Sequence, residues 1–207
     1  MKPKRLERSF FIRPTLKVAK EPLGKYFVRR IACPHRYAKR CRWGRKKFIG
    51  KIVEAEAYIG PKDRASHAYG GKVTRRNKTE YLEGGHIDIY LCYGMYWQLN
   101  ITTEKEGKPE CVLIRALEPS SITNKNPKSQ VPISKQIPIP NHQNLKLKKL
   151  ASGPGKLCKW LKLNKSFNGE DLARSKRIWI EDRVEKIKSR QIVATKRIGI
   201  DYAGNLG

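Results

Sequence analysis

A chain of 207 residues with 46 Lys plus Arg against 18 Asp plus Glu carries a formal net charge of +28. It is long enough for one domain with its own core, and too basic to stay compact comfortably without a polyanion to offset self-repulsion. No apolar run approaches the roughly 18 charge-free residues of a membrane span, which excludes a membrane protein and makes nucleic acid the first partner to consider.

Phe10 to Ile12, followed by Arg13, is too short for the apolar core of a signal peptide, so no secretion signal is expected. Phe10 to Val18 then reads as a short helix or loop leading into a strand over Gly24 to Ile31. Ala32 to Lys47 is a basic, irregular segment with Tyr37 and Trp43 among its cations, suited to a loop on phosphate or to a solvated insertion. Phe48 to Ile59 alternates, with Val53, Ala55, Ala57 and Ile59 opposite Ile52, Glu54, Glu56 and Tyr58, as a strand with one apolar face does. Residues 60–85 are rich in Gly, Arg and Asn and are expected to be mostly loop. His86 to Cys92 and Met95 to Thr103 flank Tyr93-Gly94 and predict a β-hairpin with Tyr93 near its tip. Cys111 to Leu117 is a further strand whose one cation, Arg115, is expected to be buried or half-buried. Ser120 to Lys149, rich in Pro, Asn, Ser and Lys, lacks either period and reads as a long surface loop. Gly153-Pro154-Gly155 opens a helix over Lys156 to Leu163, with Leu157, Trp160 and Leu161 at helical spacing. Arg177 to Ile180 and Ile192 to Ile200 are expected to be short strands. The five cysteines, Cys33, Cys41, Cys92, Cys111 and Cys158, form no Cys-x-x-Cys pair and fit free thiols in a reducing compartment.

Within this frame Glu56, Tyr58, His67, Tyr90, Tyr93, Asn100 and Arg115 stand out, because a solvated basic face does not call for them. Glu56 and Tyr58 lie two apart on one strand face, roughly 7 Å along the chain, so a planar ligand over Tyr58 leaves Glu56 beside its edge. His67 and Tyr90 can join Tyr58 as walls of a base-sized slot, since purines are bound by aromatic stacking and edge hydrogen bonds. An electron-rich slot favours a cationic alkylated purine through cation–π attraction. Taken singly, each residue has a structural explanation: Glu and Tyr are common on amphipathic strands, a lone His is usually structural, Tyr93 can be a turn residue, and Arg115 can pair a buried carboxylate. Their occurrence together favours the pocket.

Glu54-Ala55-Glu56-Ala57-Tyr58-Ile59-Gly60-Pro61, Ala65-Ser66-His67, Gly70-Gly71, Thr74, Arg76-Asn77, Tyr90-Leu91-Cys92-Tyr93-Gly94-Met95, Asn100 and Arg115-Ala116-Leu117-Glu118-Pro119 closely resemble the alkyladenine (3-methyladenine) DNA glycosylase family. The likeness resumes at Ser152 to Cys158, at Asn164 to Phe167 and at Arg197 to Gly204, about two thirds of the chain in all. The patterns themselves give a mixed α+β domain with antiparallel strands. The resemblance adds a single compact domain, residues 1–207, around a curved, mainly antiparallel sheet with a protruding hairpin.

The resemblance further implies a monofunctional hydrolase that extrudes alkylated purines of the 3-methyladenine and 7-methylguanine type from double-stranded DNA and cleaves their N-glycosidic bonds. In it Glu56 would activate water, Arg115 would help hold that water and the carboxylate, and Tyr58, His67 and Tyr90 would enclose the base. Asn100 would limit which purines fit, and Tyr93 would enter the duplex as a wedge. No cofactor or metal is implied; a monomer, cytoplasmic and nucleoid-associated in a bacterium, is expected. None of the residues given a chemical role is an amine, so no Schiff-base lyase step is expected. A cationic base leaves neutral and needs little acid help. The carboxylate pair of ordinary glycosidases is not evident, so cationic lesions are expected to outrun neutral ones such as hypoxanthine.

Three departures from the family pattern are visible: Arg75 where a Pro is usual, the basic insert 32–47, and an end at Gly207 where a closing strand would follow. The last leads to an expectation of reduced stability. Two other classes compete. A non-catalytic basic nucleic-acid binder, or an inactive remnant of the family, accounts for the charge; the binder does not account for Glu54 and Glu56 on one face, where carboxylates repel phosphate. A zinc module at Cys33, His35 and Cys41 lacks a fourth ligand nearby.

Overall fold

The structure, a computed structural model, describes residues 3–31, 46–123, 149–183, 185, 187–200 and 202. Residues 32–45 of the basic insert, with Cys33, His35 and Cys41, residues 124–148 of the expected long loop, and the chain end where a closing strand was looked for lie outside the described residues. Seven strands form one open antiparallel sheet: β1 (Lys4–Arg5), β2 (Tyr26–Ile31), β3 (Lys46–Tyr58), β4 (Ile87–Cys92), β5 (Tyr96–Thr103), β6 (Glu110–Thr123) and β7 (Ile178–Asp182), in the order β1-β7-β2-β3-β6-β5-β4. Helices α1 (Arg8–Phe11), α2 (Thr15–Lys20) and α3 (Pro154–Leu161) accompany it among the described residues. The expected α+β class and hairpin are therefore present. Among the described residues no helix is long and apolar enough to cross a membrane.

Alternation dictates the layering. On β4, β5 and β6 the residues Ile87, Ile89, Leu99, Ile101, Val112 and Ile114 share one face and all enter the hydrophobic core, as the pleat requires. Helix α3 starts at Pro154, where a missing N–H costs nothing, buries Leu157 and Leu161, and packs on β5 and β6. Its second residue is close to β5: a Cβ on Gly155 would come within 3.0–3.2 Å of the Tyr96 side chain.

The other face of β3 to β6 carries the polar residues, and register sets them in a row. Asp88 pairs with Asn100, Asn100 with Leu113, and Leu113 with Glu56. A second row follows Thr102, Cys111 and Tyr58. Two compensating bulges interrupt β3 and β6 beside these rows, with Val53 extra on one strand and Arg115 extra on the other. Bulges re-aim side chains, and this pair has two effects. Val53, expected on the apolar face, stands 48% exposed, while Arg115 turns toward the carboxylates of β3.

Strand β6 runs to Thr123, six residues past the expected end, because its outer half pairs with the start of β3. Ile192 to Ile200, expected as a strand, is not one. Its backbone and side chains are engaged elsewhere: the Ile198 N–H donates to Glu56 Oε1 at 3.2 Å, and Arg197 donates to both oxygens of Asp63 at 2.6 and 2.9 Å.

Candidate active site

A cavity of 650 Å³ opens on the polar face of the sheet. Tyr58, Cys111, Leu113, Asn100, Gln98 and Tyr90 supply strand-borne walls; the loop after β3 adds Ala65, Ser66, His67, Arg76 and Glu80; Ile198 to Ile200 and Tyr202 close one side. That volume lies within the range of small-molecule sites. Lys62, Arg64, Lys72, Arg75, Arg76 and Lys78 are exposed along the loop that carries His67, so a polyanion lying across the mouth meets cations at once.

Of the seven residues singled out from sequence, Tyr58, His67, Tyr90, Tyr93, Asn100 and Arg115 line this cavity. Glu56 does not lie on its wall. It sits directly behind, 8% exposed, gripped by three donors: the Tyr58 hydroxyl to Oε2 at 3.1 Å, Arg115 Nη1 to Oε1 at 3.0 Å, and the Ile198 N–H to Oε1 at 3.2 Å. Each carboxylate oxygen has two acceptor positions, so Oε2 keeps one. Arg115 also donates through Nε to Glu54 at 2.7 Å. Burial alone would lower its pKa, but the hydrogen bonds and charges of Glu54 and Glu56 outweigh that and hold it above its ordinary value. Burial first, then the neighbouring Glu56 charge, pushes the Tyr58 phenol well above its usual range, so it remains a donor to Glu56.

The aromatic walls meet at the mouth. His67 and Tyr90 stand edge to face, with centroids 4.5 Å apart and planes at 82°. Tyr90 donates to Gln98 at 2.9 Å, and burial raises its pKa. Arg76 lies over the Tyr90 ring at 5.5 Å and donates to His67 Nε2 at 3.2 Å. A guanidinium only donates, so Nε2 accepts and the ring proton sits on Nδ1, which faces Glu80 Oε1 at 3.5 Å. Tyr58 has a cation over it too, Arg197 at 5.0 Å.

Tyr93 stands apart from these walls, 88% exposed at the hairpin tip, with Met95 and Tyr96 also exposed beside it. Met95 N–H closes the turn on Cys92 O at 3.0 Å, and Tyr93 and Gly94 have φ of 51° and 68°. Positive φ at both central positions belongs to the tight turn that matches strand twist. Glycine meets that demand freely; a tyrosine does so at a cost of about 1–2 kcal/mol.

Several residues of the site were not singled out for a role. Asp63, fully buried, takes Arg197 bidentately and accepts from the Ile59 and Ala65 N–H groups. This pairing sets the C-terminal segment against β3 and delivers the Ile198 N–H to Glu56. Glu80, on the cavity wall, and Asp88, on β4 close to it, are both 2% exposed and form a second acidic group. The alternation of β4 places Asp88 on the face of Tyr90; nothing in a polar loop marks Glu80 as buried. Among the described residues no three His, Cys, Asp or Glu side chains converge on a metal position.

A family model described as Methylpurine-DNA glycosylase (MPG) matches residues 9–206. A "Putative 3-methyladenine DNA glycosylase" of Clostridium novyi (strain NT) is 43% identical over 201 residues, 97% of this chain and 89% of its own length. Proteins of the same name from Clostridioides difficile (strain 630) and Alkaliphilus oremlandii (strain OhILAs) are 38% and 42% identical, over 96% of this chain and 94% and 89% of their own lengths.

Proposed function

The chain belongs to the methylpurine-DNA glycosylase family, and on that premise we propose that it binds double-stranded DNA, rotates alkylated purines of the 3-methyladenine and 7-methylguanine type out of the stack, and hydrolyses their N-glycosidic bonds to begin base excision repair. The observation that carries this reading is the carboxylate held by three donors behind an aromatic slot. Arg115, Tyr58 and Ile198 fix Glu56 in one orientation with an acceptor position left on Oε2, where a water can be oriented and relieved of its proton.

The extruded base lies between Tyr58 and the His67–Tyr90 wall, stacked on faces that attract a positive charge. As the bond to the anomeric carbon breaks, a cationic base departs neutral, the developing positive charge stays on the sugar, and the Glu56 carboxylate stabilises it while the water adds. Asn100, buried in the floor of the slot, limits which purines enter. No lysine lines the cavity among the described residues, so the enzyme is taken to act by water alone, as a single catalytic unit.

The test is release of free methylated purine from alkylated duplex DNA, with the strand left uncut until alkali is added and no protein–DNA adduct trapped by borohydride. Strand cleavage without alkali, or a trapped adduct, would refute the hydrolytic course; absence of free base would refute the glycosylase reading.

Tyr93 serves as the wedge. Filling the vacated space offsets part of the few kcal/mol that unstacking costs, whereas its φ works against folding. Tyr93→Gly is therefore expected to lower single-turnover release from duplex DNA at least about tenfold while melting at or above the parent's temperature. A destabilised variant with unchanged activity would show that Tyr93 holds the turn and does not act on DNA.

A further inference from the structure

The mechanism above draws on Glu56 and leaves two buried carboxylates unused, Glu80 on the cavity wall and Asp88 close to it. Glu80 closes the turn Lys78–Tyr81 and is 2% exposed. Its Oε1 faces His67 Nδ1 at 3.5 Å; its Oε2 has no hydrogen-bond partner among the described residues. A buried carboxylate oxygen without a donor is costly, and buried polar atoms left unsatisfied point to a ligand or a function. Glu80 lines the cavity. Around it stand Asp88 and Tyr90 from β4, Asn100 from β5, Cys111 from β6, and His67 and Arg76 from its own loop; Asp63 and Glu110 also act on Cys111. Of these, Asp88 is already engaged, accepting from Asn100 Nδ2 at 3.3 Å.

We infer that Glu80 reads the edge of the extruded base: its free oxygen accepts a hydrogen from an exocyclic amino group, as on 3-methyladenine, and repels the carbonyl oxygen that a 6-oxo purine such as hypoxanthine presents there. This rests on the base occupying the cavity, as proposed above. A site built to satisfy a buried polar group by hydrogen bonding discriminates strongly against an analogue that cannot supply the bond. Register separates the two acidic sites by three strand spacings, roughly 14 Å from Glu56 to Asp88, room for a purine with water at one end and edge recognition at the other.

Asp88 tunes this reading. Burial, and then the neighbouring Glu80 charge, push the Asp88 carboxyl up to about 7. Asp88 therefore gains a proton as pH falls through neutrality. With Asp88 neutral, the negative field that a carbonyl oxygen meets beside Glu80 is weaker. Discrimination against 6-oxo purines is thus strongest above neutral pH and relaxes below it.

The experiment measures single-turnover release of hypoxanthine and of 3-methyladenine from duplex DNA by the parent, Glu80→Gln and Asp88→Asn between pH 6 and 8. The glutamine offers an amide that donates, so the hypoxanthine to 3-methyladenine ratio is expected to rise at least about tenfold. Asp88→Asn, which removes the titrating charge beside Glu80, is expected to hold the ratio at the parent's higher, acid-side value throughout. A parent-like ratio in Glu80→Gln would overturn the inference. Should that variant not fold, an unaltered pH profile in Asp88→Asn would overturn it alone. Release of neither base by the parent would instead refute the glycosylase reading beneath it.

Discussion

Replacing Glu56 with Gln is expected to reduce release of methylated purine from duplex DNA by about 10²- to 10⁴-fold, the range of a positioned general base, and to leave binding to abasic DNA close to the parent's. The structure makes this substitution unusually clean. The Gln Oε1 can still accept from Arg115 Nη1 and the Ile198 N–H, and the Tyr58 hydroxyl, which now donates to Oε2 at 3.1 Å, can turn to accept from the amide. Fold and slot therefore persist while the proton acceptor is lost. Activity within tenfold of the parent would place the base elsewhere in the cavity; loss of abasic-site binding together with activity would mean that Glu56 serves the architecture of the slot.

Asp63→Asn is expected to act through stability. Arg197, whose side chain is only 6% exposed, depends on both Asp63 oxygens. Removing one charge of a buried pair leaves the other uncompensated, at about 3–5 kcal/mol. For a chain of this size the lower figure corresponds to a melting point roughly 6–12 °C below the parent's. Activity should fall with it, because Arg197 carries the neighbouring Ile198 N–H to Glu56. Differential scanning calorimetry alongside base release tests both parts. A variant that melts and cleaves like the parent would mean that the C-terminal segment is held by other contacts, such as the Ile198 N–H on Glu56.

The sequence showed β3, β4, β5 and α3 because their apolar residues repeat at strand or helix spacing and their ends carry turn residues. Alternation put Glu56 and Tyr58 on one face for the same reason, whereas the grouping of Arg115 with them came from the family resemblance. Three features were out of its reach. The paired bulges at Val53 and Arg115 depend on the register of two strands joined across some fifty residues, and no local pattern marks them. Ile192 to Ile200 has the apolar content of a strand, yet its N–H at Ile198 and its Arg197 find carboxylates on β3 and the following loop, a partnership that exists only once the sheet is built. Glu80 looks like any polar loop residue between Lys78 and Tyr81; its burial follows from the turn that presses Thr79 and Glu80 beneath His67. Glu80, the carboxylate on the cavity wall, therefore carries no local mark in the sequence.

The strand order β1-β7-β2 bears on how the chain is made. Strand β2 ends at Ile31, but the strand that covers its outer edge, β7, ends at Asp182. At translation rates of 5–20 residues per second, β2 waits roughly 8–30 s for that neighbour to leave the ribosome. During that interval β3, β6, β5 and β4 can assemble on its other side, so the strand-borne walls of the cavity are in place, still without Ile198 to Ile200 and Tyr202, while the other flank is open to any passing strand. The edge that waits carries Arg29 and Arg30, like-charged side chains of the kind that discourage a second nascent chain from pairing there.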